Sequence, residues 1–163
     1  MAMKHEMKAR YPAPSSVVIR MFSDKDFHTR KLEALGLLKY QVLEHQFDGQ
    51  EFRIKIERKV PVEAPGMVKK VVPLETTVVN EECWSVASKT GRVLVQAQGM
   101  PLEMSCSTAM TDEGQECVIT YHWDINATLP LVGATLEKFV VADMERRAAE
   151  ETQVGISLLQ AYR

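Results

Sequence analysis

The residue types that carry most protein chemistry are scattered along this sequence. It contains four histidines: His5, His28, His45 and His122. None of them has a carboxylate or a cysteine at the spacing of a metal or catalytic site, and the chain lacks a nucleophile elbow, a phosphate-binding loop and an HExxH pattern. The sequence therefore predicts no catalytic residue, no metal site and no cofactor, and it favours a protein that is not an enzyme.

A charged pair near the C-terminus is the most specific polar feature. Arg147 and Glu151 lie four residues apart in a long helical pattern, within about 20° of the apolar line through Val140. In one interpretation the helix has passed the edge of the sheet by Arg147, and the exposed pair contributes less than about 1 kcal/mol. In the other, Arg147 offers its planar guanidinium to a bound carboxylate or phosphate, and Glu151 holds it when the site is empty. The pattern favours the first interpretation.

Composition places the chain among ordinary globular proteins. Of its 163 residues 45% are apolar and 26% are charged, and the net charge of −2 offers no basic surface for nucleic acid. The odd number and wide spacing of Cys83, Cys106 and Cys117 favour a reducing compartment. We expect no signal peptide, because the first residues carry charge and lack an apolar core, and no membrane-spanning segment, because no apolar run approaches roughly 20 residues. We expect one cytoplasmic domain over residues 1–163.

Alternation of apolar and polar residues dominates the middle of the chain. In QEFRIKIERKV, for example, every second residue is apolar, as in a half-buried antiparallel strand. Turn signals at Asp48-Gly49, Thr90-Gly91 and Glu113-Gly114 separate such runs. Seven strands are expected, at about residues 4–11, 37–47, 51–60, 75–87, 92–99, 102–111 and 116–126.

Helical patterns flank these strands. A short helix is expected to begin at Ser15, after a proline, and a second runs from Asp24 to Leu35. A third pattern, from Leu131 to Ala161, would form a helix about 45 Å long. An antiparallel sheet with one apolar face must bury that face, and only this helix is long enough to cover it. We predict an α+β fold in which a curved sheet wraps around the C-terminal helix and approaches it most closely at Gly133.

Five charged or polar residues of this helix lie farther from the apolar line and are expected on its solvated edge. They are Glu137, Lys138, Glu145, Arg146 and Gln153.

The segment between the strands at 51–60 and 75–87 breaks the pattern with a proline at each end. Its apolar residues recur at helical spacing beside two lysines: Met67, Val68, Val71 and Val72. We interpret the segment as an amphipathic flap, either a gate that touches anionic membrane while ligand enters or a lid packed permanently on the sheet. Two lysines are too few for stable membrane attachment, so the lid is favoured and transient contact is left open.

Several short motifs occur in a familiar order. They are ARYPAPSSVVIRMFSD, Asp26-Phe27 followed by Ala34-Leu35-Gly36, APGMVKK, Glu82-Cys83-Trp84 and LPLVGATLEKFV. In their order and spacing the sequence resembles the START-like superfamily (SRPBCC, or birch-pollen-allergen-like), and more narrowly a bacterial START-like domain family of unknown function. The resemblance implies a helix-grip fold with a deep apolar cavity between sheet and helix. Members of the superfamily bind lipids, sterols, polyketides or plant hormones, and some are cyclases or hydrolases.

Strand alternation and helical spacing together predict which side chains would line such a cavity. On the sheet they are Tyr40, Phe52, Ile54, Trp84, Val86, Val93, Val95, Met104, Tyr121 and Trp123. On the helix they are Leu136, Val140, Met144 and, in the second interpretation above, Arg147. His122 lies between two of these residues and is expected on the outer face. The same apolar residues would also form a solid core, but the implied fold favours a cavity.

The leading hypothesis is a module that binds or carries a small hydrophobic or amphipathic molecule, such as a lipid, in this cavity. One alternative is a polyketide-cyclase-like or hydrolase-like enzyme that uses the same cavity. Another is a protein interaction domain whose cavity is filled by its own side chains. The sequence determines neither the ligand nor the oligomeric state.

Overall fold

The computed structural model of the protein describes residues 2–62, 64, 66, 68–70, 72–129 and 132–163. The strands are β1 Ala2–Tyr11, β2 Tyr40–Phe47, β3 Glu51–Pro61, β4 Glu75–Ser85, β5 Thr90–Ala97, β6 Leu102–Glu113 and β7 Glu116–Ala127. The α-helices are α1 Ser15–Phe22, α2 Lys25–Ala34 and α3 Gly133–Leu158, and 3-10 turns occupy Val68–Lys70 and Leu159–Tyr162. The predicted α+β architecture is confirmed.

The strands form one antiparallel sheet in the order β1-β7-β6-β5-β4-β3-β2. Strands β2 to β7 follow one another as a meander, and β1 closes the order by pairing with β7, with Tyr11 opposite Cys117. Successive side chains along each strand point to opposite faces of the sheet. On β3 the inner residues Phe52 and Ile54 are buried, whereas Arg53 is half-exposed on the outer face.

One turn prediction is wrong. At the β4–β5 hairpin Lys89, not Gly91, adopts a positive φ, of 55°. Gly91 lies within β5 opposite Trp84. A Cβ atom on Gly91 would collide with the carbonyl oxygen of Cys83 and approach the Trp84 ring to 2.9 Å. The glycine is therefore needed for close packing within the sheet rather than for a turn.

The long helix lies toward one side of the sheet, where it packs against β1, β7 and α2. Its 26 residues span about 39 Å. The close approach predicted at Gly133 occurs at Gly155 instead. A Cβ atom on Gly155 would lie 2.9 Å from the Tyr11 ring, whereas one on Gly133 would make an ordinary contact of 3.6 Å with Ala127. The helix therefore still lies on the sheet beyond Arg147, contrary to the first interpretation of the charged pair.

The prediction that Glu137 lies on the solvated edge of α3 is wrong. Its side chain is buried, and Glu137 Oε2 accepts a hydrogen bond of 2.9 Å from the backbone N–H of Ala127. Ala127 is the last residue of β7, so this bond ties the first turns of α3 to the end of the sheet. Helical periodicity could not reveal the bond, because its donor belongs to another element.

The described part of the segment between β3 and β4 packs against the body of the protein. Val68 is buried in a cluster with Ala64, Leu136 and Val140, and Val72 packs against its edge. This arrangement favours a lid. Met67 and Val71, also predicted for the flap, lie outside the described residues. None of the described helices combines the length and apolar character that a membrane span requires.

Candidate functional site

A cavity of two adjoining lobes opens between α3 and the inner face of the sheet. The larger lobe has a volume of about 440 Å³ and the smaller about 150 Å³. Both lobes share one boundary, lined by Met7, Arg58, Asn80, Trp123, Ala148 and Glu151. The cavity follows from the position of α3, because a helix that packs on β1 and β7 leaves the inner face of the middle strands uncovered.

The larger lobe is mostly apolar away from this boundary. Its sheet side includes Val60, Val78, Val95, Ala97, Leu102 and Met104, and its helix side includes Phe139, Val140 and Met144. The antiparallel register brings the inner residues of neighbouring strands together, as where Val78 on β4 lies opposite Ala97 on β5. Walls of this kind stabilise an apolar ligand by about 25 cal/mol per Å² of surface removed from water.

An arginine lies on the inner face of the sheet where the two lobes meet. Arg58 alternates with the buried residues Ile56 and Val60 on β3. Its Nε atom is shielded from solvent and has no hydrogen-bond partner among the described residues. Burial lowers the pKa of Arg58, the charge of Glu151 raises it and the charge of Arg147 lowers it. The side chain is a cation at neutral pH, because an arginine does not lose its proton in a protein.

Two neutral polar groups at the same boundary also lack partners. The Oδ1 atom of Asn80 on β4 and the Nε1 atom of Trp123 on β7 are shielded from solvent and make no hydrogen bond within the described part of the chain. Most buried polar atoms in native proteins are hydrogen-bonded. Unpaired polar atoms from three strands at one boundary therefore mark it as the part of the cavity suited to a polar group of a ligand.

Arg147 lies on the wall of the larger lobe, but its ion-pair partner is not Glu151. Its Nε donates a hydrogen bond of 2.8 Å to Asp143 Oδ2, one helical turn earlier, and its side chain is 31% exposed. Arg146 contacts the other oxygen of Asp143 at 2.6 Å. Glu151 lines both lobes. The two residues thus face the cavity, as the second interpretation expected, without forming the mutual pair it described.

The smaller lobe contains a buried histidine that was not among the residues predicted from the sequence. The ring of His28, on α2, stacks on Phe52 with a centroid distance of 5.3 Å, and its Nε2 donates a 2.8 Å hydrogen bond to the carbonyl oxygen of Phe22. Its Nδ1 lies 3.8 Å from Glu82 Oε2. Burial lowers the pKa of His28, while the charge of Glu82 raises it. The native protein therefore holds this ring in its neutral form at neutral pH.

Two tyrosines add hydroxyl groups to the smaller lobe. Tyr11 and Tyr121 both line it. Burial raises the pKa of each phenol, and the nearby charge of Glu151 raises both further. Each hydroxyl therefore keeps its proton at neutral pH and can donate a hydrogen bond.

The structure places most of the sequence-predicted cavity residues on the two lobes. Ile54, Val93 and Tyr121 line the smaller lobe and Trp123 lines both; Val95, Met104, Val140, Met144 and Arg147 line the larger. The others lie elsewhere: Tyr40, Phe52, Trp84, Val86 and Leu136.

These other residues lie where neighbouring elements fill the space beside the sheet. Phe22 of α1 packs edge-on against Trp84 at 5.6 Å, and His28 of α2 covers Phe52. Leu136 is fully buried between α3 and β7. Tyr40 begins the edge strand β2, and its hydroxyl donates a 2.8 Å hydrogen bond to Glu33 Oε1. Tyr40 and Phe52 therefore belong to the end of the sheet that α1 and α2 cover, not to the cavity.

Strand alternation contained a signal for two of the polar residues that were missed. Arg58 continues the inner phase of β3, and Asn80 occupies the inner phase of β4 between Val78 and Trp84. His122, by contrast, is exposed on the outer face as predicted, 3.7 Å from Glu6. In the described part of the chain no three His, Cys, Asp or Glu side chains converge as they would around a metal ion.

Solved structures with the same architecture share little sequence identity with this chain. The Zhui aromatase/cyclase of a Streptomyces species is 12% identical with a TM-score of 0.69, over 98% of this chain and 94% of that one. The protein Ara h 8.0201 is 12% identical with a TM-score of 0.66, over 99% of both chains. Norcoclaurine synthase from Thalictrum flavum is 13% identical with a TM-score of 0.58, over 98% and 87%. These similarities show the helix-grip fold of the START-like superfamily, and the fold alone.

Sequence comparison defines the family more narrowly. No curated protein matches the chain significantly. One family model, described as a protein of unknown function (DUF2505), matches residues 6–158, which extend from β1 to the last turn of α3. The chain therefore belongs to the DUF2505 family, and its fold is the helix-grip fold.

Proposed function

We propose that this protein binds a small hydrophobic or amphipathic molecule in the cavity between the sheet and α3. The observation that carries the proposal is the larger lobe, whose volume of about 440 Å³ is walled by apolar side chains and adjoins a charged boundary. Small-molecule sites are typically apolar pockets of roughly 300–1,000 Å³ with a few polar groups. A solved norcoclaurine synthase of the same fold is in complex with dopamine and hydroxybenzaldehyde, which supports the use of this cavity for small organic molecules.

Filling the larger lobe tests the proposal. Val95 on β5 lines the lobe, whereas Leu94, the preceding residue, is 43% exposed on the outer face. Val95→Trp should therefore occupy the space needed by a ligand and lower the affinity for octanol by about tenfold or more, as measured by isothermal titration calorimetry.

The matched control is Leu94→Trp, which adds the same side chain outside the cavity and should leave octanol affinity unchanged. Circular dichroism spectra of both variants should resemble that of the wild type. If Val95→Trp is folded and binds octanol as well as the wild type does, the cavity is not the binding site.

An enzyme of the cyclase or hydrolase kind is the second candidate. The observation in its favour is the polar lining of the smaller lobe, where His28, Glu82, Tyr121 and Glu151 gather beside the apolar lobe. Burial lowers the pKa of His28 and raises that of Tyr121, and groups with shifted pKa values are enriched at catalytic sites.

Mass spectrometry separates these two candidates. The protein is incubated with an extract of its own cells, and the small molecules that it retains are compared with the extract by mass. A binding module returns each retained molecule unchanged, whereas an enzyme produces a species whose mass differs from that of its precursor. A Tyr121→Phe variant should retain the binding in the first case and lower the conversion in the second.

Two further observations concern the cellular compartment of the protein and the third candidate function, an interaction domain. Cys83, Cys106 and Cys117 are free thiols, which supports a reducing compartment such as the cytoplasm. The open volume of the larger lobe gives no support to an interaction domain whose cavity is filled by its own side chains.

A further inference from the structure

We propose that the boundary between the two lobes binds the carboxylate of an amphipathic ligand, with Arg58 as its anchor and Arg147 as a second cation. This inference rests on the proposed binding function and narrows it to one ligand class. The ligand would have a single negative charge on a compact head and an apolar body that extends into the larger lobe.

The two arginines of β3 differ in a way that points to a ligand. Arg53, on the outer face, lies 2.7 Å from Glu81 and 3.6 Å from Glu44. Arg58, on the inner face, has no ion pair or hydrogen bond with a described residue, and its Nε is shielded from solvent. A charge removed from water is costly unless it is paired. The chain thus gives Arg53 two carboxylate neighbours, whereas Nε of Arg58 has no hydrogen-bond partner among the described residues and only the charge of Glu151 acts on its guanidinium favourably.

The position of Arg58 suits the head of an amphipathic molecule. It lies between the apolar lobe on one side and the polar groups of the smaller lobe on the other. Arg147, on α3, lines the larger lobe next to this boundary. Burial is the main cause that lowers the pKa of Arg58; the charge of Glu151 raises it, and the charge of Arg147 lowers it by a smaller amount. A ligand head held there would meet guanidinium groups from two facing elements, β3 and α3. Planar guanidinium groups bind carboxylates through two parallel hydrogen bonds.

The charges around the boundary favour a carboxylate over a phosphate. Charged residues of both signs line the lobes away from the boundary: Glu82, Lys8 and Lys31 in the smaller, and Asp143, Glu150, Arg146 and Arg147 in the larger. At the boundary itself the charged residues are Arg58 and Glu151. Asp143 already holds Nε of Arg147. A head group with one negative charge matches the single cation at the boundary, whereas a phosphate with nearly two negative charges would be repelled more strongly by Glu151. The tail is accommodated by the apolar walls of the larger lobe.

Three probes with the same tail test the inference: octanoate, octanol and octyl phosphate. Calorimetric titration of the full chain at neutral pH should show octanoate binding about tenfold more tightly than octanol, because hydrogen bonds to a charged partner are among the stronger ones. Octyl phosphate should bind more weakly than octanoate. Arg58→Met should lower octanoate affinity by about tenfold or more and change octanol affinity by less than about threefold.

Arg53→Met is the matched control, because it removes the same side chain from the outer face of the same strand. It should leave the affinities for octanoate and octanol unchanged. If Arg58→Met does not fold, the affinities of the wild type for the three probes still test the carboxylate site. Arg147→Met should then lower octanoate affinity severalfold and leave octanol affinity unchanged.

The outcomes separate this inference from the function on which it rests. Equal affinity for octanoate and octanol, or equal effects of Arg58→Met on both, would overturn the carboxylate site while leaving the cavity as a binding site. Tighter binding of octyl phosphate than of octanoate would overturn the choice of carboxylate. Failure of every probe to bind the wild type would overturn both proposals.

Discussion

Buried polar side chains in this protein divide into those that have partners and those that do not. Glu137 accepts a hydrogen bond from the backbone of Ala127, and His28 donates one to the carbonyl oxygen of Phe22. Both residues connect neighbouring elements and have a structural role. Nε of Arg58, on the inner face of β3, is also shielded from solvent but has no such bond with a described residue. The proposed ligand role of Arg58 rests on this difference together with its place on the cavity, since Ser23 and Thr108 also have a shielded hydroxyl without a partner among the described residues but line neither lobe.

At the scale of one residue, His28 makes the protein less stable in mild acid. Burial lowers the pKa of native His28, so the unfolded chain takes up a proton at a pH where the native state does not. The free energy of unfolding should therefore fall as pH decreases below about 6.5, by up to about 1.4 kcal/mol per pH unit, until the native pKa is reached. Three charged groups also act on this ring: Glu82 and Asp24 raise the pKa of His28, and Lys31 lowers it.

Urea denaturation at a series of pH values measures this effect. His28→Gln should lower stability at neutral pH, because it replaces a stacked ring and its hydrogen bond, but should flatten the dependence on pH between about 6.5 and 5. Parallel pH profiles for the wild type and the variant would show that His28 does not cause the acid sensitivity.

At the scale of elements, the placement of α3 depends on a second glycine as well as on apolar periodicity. Gly155 lies in the last turns of the helix, against the ring of Tyr11, which is the last residue of β1. Glycine inside a helix normally costs about 1 kcal/mol relative to alanine. Its presence here is explained by the close approach of helix and strand, which leaves no room for a Cβ atom.

Alanine substitution of the two helical glycines tests this explanation. Gly155→Ala should gain helix propensity but lose more through its collision with Tyr11, for a net destabilisation of about 1 kcal/mol. Gly133→Ala meets only the ordinary 3.6 Å contact with Ala127 and should be neutral or slightly stabilising. Thermal unfolding of both variants provides the comparison. A Gly155→Ala protein more stable than the wild type would show that the helix shifts at no cost.

At the scale of the whole molecule, three helices cover the inner face of the sheet incompletely. Phe22 of α1 and His28 of α2 cover one end of that face, and α3 packs on β1 and β7. The space between them is the larger lobe, which no described side chain fills. A molecule that enters this space binds the native state and not the unfolded chain, so it must stabilise the fold.

Ligand-dependent unfolding follows from this arrangement. Octanoate at about one hundred times its dissociation constant should raise the free energy of unfolding by about 2.7 kcal/mol. For a chain of this size the unfolding temperature should rise by roughly 5–10 °C. Differential scanning calorimetry measures the shift. At the same octanoate concentration the Val95→Trp variant, whose affinity is about tenfold lower or weaker still, should show about half of this shift or less. An equal shift in that variant would place the ligand outside the cavity.

Predictions that depend on local sequence patterns were correct, whereas those that depend on contacts between residues far apart in the chain were not. Alternation on β3 to β7 and the length of the helical pattern after Leu131 correctly indicated the sheet and its covering helix. Gly91 was wrongly predicted to form a turn, and Gly133 was wrongly predicted to mark the closest approach of helix and sheet. The role of a glycine depends on the atoms that face it, and these are atoms of Trp84 for Gly91 and of Ala127 for Gly133. Arg58 and Asn80 could have been assigned to the inner face from strand phase, but their lack of partners could not.

The sequence by itself determined the order of elements, the inner and outer faces of the strands, and membership in a helix-grip architecture, because these depend on periodicity and on motif order. Only the tertiary structure decided where α3 lies on the sheet, and therefore which inner residues are core and which line a cavity. It also decided that Arg147 pairs with Asp143 and that Arg58 lies unpaired among the described residues. Contacts between residues far apart in the chain depend on how whole elements pack, and no local pattern encodes that packing.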